Sequence, residues 1–140
     1  MSIFRKRERG AAAVEFALIA IPLFSIALAI VEFGFIYNYR TQLVNSSMAG
    51  ARHFSIHHDV NAAKQVVTNT VPGLPASAVR IQVDGANASS TNTCPAVEQR
   101  AKRTITVRIV TNQRLLTNFF NFAIPGGQVE LNVRATAVCF

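Results

Sequence analysis

Sixteen consecutive residues, Phe16 to Val31 (FALIAIPLFSIALAIV), carry no charge, and Ala11 to Val14 extend the run backwards across one carboxylate, Glu15. As a helix, the stretch Ala11–Val31 rises about 30 Å, the thickness of a bilayer hydrocarbon core. A chain of 140 residues has no interior wide enough to enclose a helix that is apolar on every side. The stretch therefore reads as a membrane span. Its flanks set the orientation. Arg5, Lys6, Arg7 and Arg9 precede it with only Glu8 opposing them, and the next base is Arg40. The bias of cytoplasmic flanks towards Lys and Arg keeps the first ten residues inside and exports the chain beyond Tyr39. An ordinary secretory signal fits less well. The apolar run is longer than the 7–15 residues of such a signal, and Glu32-Phe33-Gly34-Phe35 is not a small-residue cleavage site.

Glu15 is not explained by a plain anchor. A carboxylate inside a spanning helix costs up to about 2.5–3.5 kcal/mol, less near an end. It can snorkel towards the near interface, or it can meet a cation within the membrane. Cutting after Gly10 would supply that cation as a new α-amino group on Ala11. Pro22, within the span, removes a backbone donor and leaves the Leu18 carbonyl without its helical partner, so a kink is expected there. Ser25 is placed to bond back to carbonyls of that turn. Glu32 is assigned to the far interface, with Tyr37 and Tyr39 as an aromatic belt.

Arg9-Gly10-Ala11-Ala12-Ala13-Val14-Glu15-Phe16 resembles the prepilin-peptidase site of type IV pilins: a short basic leader ending in Gly, then an apolar helix with an early Glu. Glu15 followed by the aromatic Phe16 resembles the Flp and Tad variety, and RGAAAVEFALI most resembles the TadE-like pseudopilins of the tight-adherence system. The resemblance covers Arg9 to about Val31. It implies cleavage between Gly10 and Ala11, extraction from the membrane into a filament, and neutralisation of the Ala11 amine by Glu15, within one subunit or between neighbours. It also implies that Pro22 marks a place where the helix loosens on assembly.

Beyond the span the helix is expected to continue to about His57, with Val44, Met48, Ala51 and Ser55 on one face and Ala49-Gly50-Ala51 as a small-residue surface for close approach. Asp59 is placed to cap a second helix, Val60 to about Asn69, ended by Val71-Pro72-Gly73-Leu74-Pro75. Three segments then alternate apolar and polar: Val79–Val83, Ile105–Ile109 and Val129–Ala137. Period two argues for three half-buried strands. Arg108 and Glu130 could pair across two of them. A short apolar helix is expected around Leu115, Leu116, Phe119, Phe120 and Phe122. The fold class is α+β: a long N-terminal helix packed on a small three-stranded antiparallel head, as the pilin resemblance also implies. The division is a leader over 1–10, the long helix over 11–57 with its span over about 11–36, and the head over 58–140.

The two cysteines, Cys94 and Cys139, both fall in the exported part, where an oxidising compartment favours a disulfide; two free buried thiols are the alternative. His53 and His57 have the i, i+4 spacing of a metal pair. No Glu stands between them as in H-E-x-x-H, and a polar helix end is preferred, so no metal and no cofactor are expected. Arg100, Lys102, Arg103 and Arg108 form a basic stretch without interleaved aromatics. It reads as a solvated face, with no nucleic-acid partner. No nucleophile–base set or phosphate loop is present, and an enzyme is not expected.

The resulting reading is a minor pilin of a Tad/Flp pilus, processed after Gly10, resident in the inner membrane and then assembled for surface adherence and biofilm formation. Its implied partners are membrane lipid, a prepilin peptidase, other pilins, and an inner-membrane platform with its ATPase. The alternative is an unprocessed single-pass protein whose periplasmic domain scaffolds a complex or binds a ligand.

Overall fold

A computed structural model of the chain describes residues 4–88, 94, 103–117 and 124–139, with side chains from residue 10 onward except that of Pro125. It divides into two compact units, Met1–Phe35 and Ile36–Phe140. One helix, α1, runs from Phe4 to His57 and belongs to both. In the first unit it is the only element described.

The second unit is α+β. After α1 come α2 (Val60–Thr70) and the strands β1 (Val79–Val83), β2 (Ala86–Asn87), β3 (Thr104–Arg114) and β4 (Gln128–Val138). The strands form one antiparallel sheet in the order β2-β1-β3-β4. The sheet thus has four strands where alternation alone predicts three. The added strand comes from Asp84-Gly85, a two-residue turn with φ +49° and +83° that returns the chain as a hairpin, Val83 facing Ala86. A turn needing positive φ at both positions is one that Asp-Gly supplies readily.

The core lies between one face of this sheet and the helices. Val79, Ile81, Val83, Ile105, Val107, Ile109, Leu131 and Val133 meet Leu43, Phe54, Ala63 and Val67 in one buried cluster. On α1, Ala51 and Ser55 are buried and Val44 packs against the core as expected, and Met48 alone of that set departs. Met48 is 46% exposed, whereas Leu43, Ser46, Ser47, Gly50, Ala51, Phe54 and Ser55 are buried. The face combines two large apolar side chains, Leu43 and Phe54, with small residues between them that admit close neighbours. Its serines satisfy themselves: Ser46, Ser47 and Ser55 donate to the carbonyls of Leu43, Val44 and Arg52 at 3.0, 2.8 and 2.7 Å. Hydroxyls bonded to their own helix enter a core without an unpaired group.

Asp59 caps α2 as expected, its Oδ1 accepting from the backbone N–H of Asn61 at 2.8 Å and of Ala62 at 3.1 Å. The expected Arg108–Glu130 pair is not made. In the register of β3 and β4, Arg108 faces Arg134 and Glu130 faces Asn112, and the Arg108 Nε donates instead to Asn132 Oδ1 at 3.2 Å. Leu115 and Leu116 are not helical, and Phe119, Phe120 and Phe122 lie outside the described residues. Cys94 and Cys139 form a disulfide that spans 45 positions, with both residues buried. Beside it, the Cys139 N–H donates to the Arg103 carbonyl at 3.2 Å. Arg103 in turn pairs with Asp84 at 3.2 Å.

Candidate functional site

The N-terminal helix gathers the residues that the sequence singles out. Glu15 is four positions beyond Ala11, slightly more than one turn, so the two lie on the same side of α1. Helical side chains lean towards the N-terminus, which aims the Glu15 carboxylate back at the turn of Ala11. Gly10, Ala11, Glu15 and Phe16 are all exposed, Phe16 at 73%. A Cβ built on Gly10 would meet nothing within 4 Å. Among the described residues no side chain shields this stretch, and α1 passes through it without a break.

Further along, the exposed residues are almost entirely apolar: Leu18, Ile19, Ile21, Leu23, Phe24, Ile26, Ile30, Val31 and Phe33 all project outwards. Among the described residues α1 is the one helix long and apolar enough to cross a membrane. An apolar surface this large and continuous marks contact with lipid or with another apolar surface. Pro22 lies inside α1, which continues through it. The Ser25 Oγ donates to the Ile21 carbonyl at 2.8 Å, the back-bonding that the sequence places there. That bond goes to the Ile21 carbonyl, one turn before Ser25, and not to the Leu18 carbonyl from which Pro22 withholds its N–H.

Glu32 is 4% exposed, between Val31 at 62% and Phe33 at 74%. Burying a carboxylate costs several kcal/mol unless it is bonded, and Glu32 has a partner. Tyr37 is 72% exposed, while Tyr39 packs against the core of the second unit; the two do not form one belt. Spacing cannot show such a burial, because every position of an all-apolar helix looks alike in the sequence.

The histidines close α1. The rings of His53 and His57 are 4.4 Å apart between centroids, and among the described residues no group of three or more His, Cys, Asp or Glu is placed to hold a metal. Of the basic stretch, Arg100 and Lys102 lie outside the described residues, and Arg103 is engaged with Asp84.

Comparison with known families places one match on this chain. The family described as TadE-like protein matches residues 10–52, which begins at Gly10 and takes in the apolar helix, Glu15, Phe16 and Pro22. No curated protein and no solved structure gives a match.

Proposed function

We propose, for a chain whose residues 10–52 are TadE-like, the role of a minor pilin or pseudopilin of a Tad/Flp-type pilus: a structural subunit, not an enzyme. A prepilin peptidase cuts it between Gly10 and Ala11, and its apolar helix moves from lipid into a bundle of neighbouring helices. The single observation that carries this reading is the coincidence of the family match with an exposed Gly10–Phe16 stretch and an unshielded apolar helix behind it.

The chemistry of the new terminus supports it. Cleavage leaves an ammonium at the positive end of the helix dipole, which is unfavourable there. Glu15, one turn on, offsets both charges, from its own subunit or from an adjacent one. In a low-dielectric bundle, a subunit shifted along the axis leaves a buried charge unpaired, which costs several kcal/mol. The pairing would therefore fix axial register as well as neutralise charge. Partners in this role are the peptidase, other pilins, and a membrane platform with its ATPase, with adherence as the outcome.

The second reading, an unprocessed single-pass protein with a scaffolding or ligand-binding domain, is favoured by the continuity of α1 from Phe4 through Gly10, since a peptidase must unwind that turn. N-terminal sequencing of the chain recovered from membranes that contain a prepilin peptidase separates the two. A mature chain starting at Ala11 is expected; one starting at Met1 or Ser2 favours the anchor and removes the pilin reading.

A further inference from the structure

The sheet brings together three arginines far apart in the sequence. Arg80 of β1 lies directly opposite Arg108 of β3, and Arg108 directly opposite Arg134 of β4. Each alternates with buried core residues, Val79 and Ile81, Val107 and Ile109, Val133 and Ala135. All three side chains therefore leave the outer face of the sheet. Neighbouring strands are about 4.8 Å apart, so three positive charges stand in a row about 10 Å long. Like charges directly opposite one another destabilise a sheet.

Nothing among the described residues offsets this row. Asp84 is engaged by Arg103 at 3.2 Å, and Glu130 faces Asn112. The Arg108 Nε donates to Asn132 Oδ1 at 3.2 Å, which fixes a guanidinium without neutralising it. Arg80 and Arg108 also border a groove of about 320 Å³ with Ser77 and Val110.

We infer that this arginine row is a docking surface for an acidic polysaccharide, a polymer of hexuronate sugars. A guanidinium offers a planar fork that receives a carboxylate on two parallel bonds. A polyuronate carries one carboxylate on each ring, so a chain laid along the row offers several carboxylates to the three guanidinium groups. The flanking row of Gln82, Thr106 and Thr136 supplies amide and hydroxyl groups for the sugar hydroxyls. Single-stranded nucleic acid fits less well, because it is held by aromatic platforms under its bases and β1, β3 and β4 contain no aromatic residue. The surface lies on the head and is independent of whether the leader is removed.

The test uses the full chain in detergent, with polygalacturonate as probe, neutral galactan as blank, and single- and double-stranded DNA as competitors. Arg80→Gln, Arg108→Gln and Arg134→Gln are each expected to weaken polygalacturonate binding about two- to fivefold, the range of an exposed ion pair, and the triple variant more than tenfold. Arg114→Gln, on the same strand as Arg108 but opposite Gln128, serves as the equal-charge control and is expected to change binding less than twofold. A thermal melt of each variant checks folding, and removing one arginine of the row is expected to leave the midpoint unchanged or raise it. Three results overturn the proposal: no binding at low salt, an Arg114→Gln loss equal to that of the row, or row-dependent binding of DNA tighter than that of polygalacturonate.

Discussion

Gly50 of α1 sits directly against Val67 of α2. A Cβ built on Gly50 would overlap the Val67 Cγ2 and would lie 3.4 Å from the Ala63 carbonyl oxygen. The two helices approach through the absence of a side chain, and Val67, fully buried, fills the space. Gly50→Ala therefore gains helix propensity but overpacks the contact. A net loss of about 1–3 kcal/mol is expected, read as a lower unfolding midpoint. Val67→Ala in the same background should recover part of it, because the clash is between those two groups; a purely additive double variant would contradict the contact.

Glu15 is expected to matter after processing and not before it. Glu15→Ala and Glu15→Gln should still yield a chain starting at Ala11, but should lower recovery in sheared pili on the order of tenfold or more, since a buried ammonium is left without its partner. Immunoblots of sheared and membrane fractions measure both steps. Full incorporation of Glu15→Ala would remove the charge-pairing account while leaving the family match of the helix intact.

The Cys94–Cys139 bond closes a loop across 45 positions. On the chain-entropy account such a closure stabilises by about 3–4 kcal/mol. Cys94→Ser with Cys139→Ser, or reduction of the intact protein, is expected to lower the unfolding midpoint of the head markedly. Alkylation without reductant should label no thiol, since the chain has two cysteines and both are in the bond.

Asp59 accepts two of the N–H groups that α2 leaves unpaired at its start. Asp59→Ala should cost about 1 kcal/mol, and Asp59→Asn or Asp59→Ser much less. Thermal or denaturant unfolding of the three variants gives that ranking directly.

Much of the local structure was legible because its signals are local. The end of α1 at His57, the Asp59 cap and the three longer strands come from periodicity and from single residues with one preferred place. The fourth strand was legible too: Asp84-Gly85 between Val83 and Ala86 is a hairpin signal, and the alternation of longer segments hid a strand of two residues. Other features depend on the tertiary fold. Met48 looks like core and Ser47 does not, yet Ser47 is buried and Met48 is 46% exposed, because Ser47 shares the helix face of Leu43, Gly50 and Phe54 and Met48 does not. Cross-strand partners depend on register. The Arg108–Glu130 pair fails because Glu130 stands opposite Asn112, and the same register aligns Arg108 with Arg80 and Arg134, which no spacing in the sequence announces. Gly10, Ala11, Glu15 and Phe16 were legible as a motif; the burial of Glu32 was not.

The covalent link at the end of the sheet changes what a protease can accomplish. Cys94 and Cys139 bracket β3, β4 and the segments between them. A single cut anywhere in that circuit opens a ring and frees no fragment. Nicked molecules would migrate as full-length chains until a reductant is added, so damage to the head outside the cell would leave both pieces attached to the same helix.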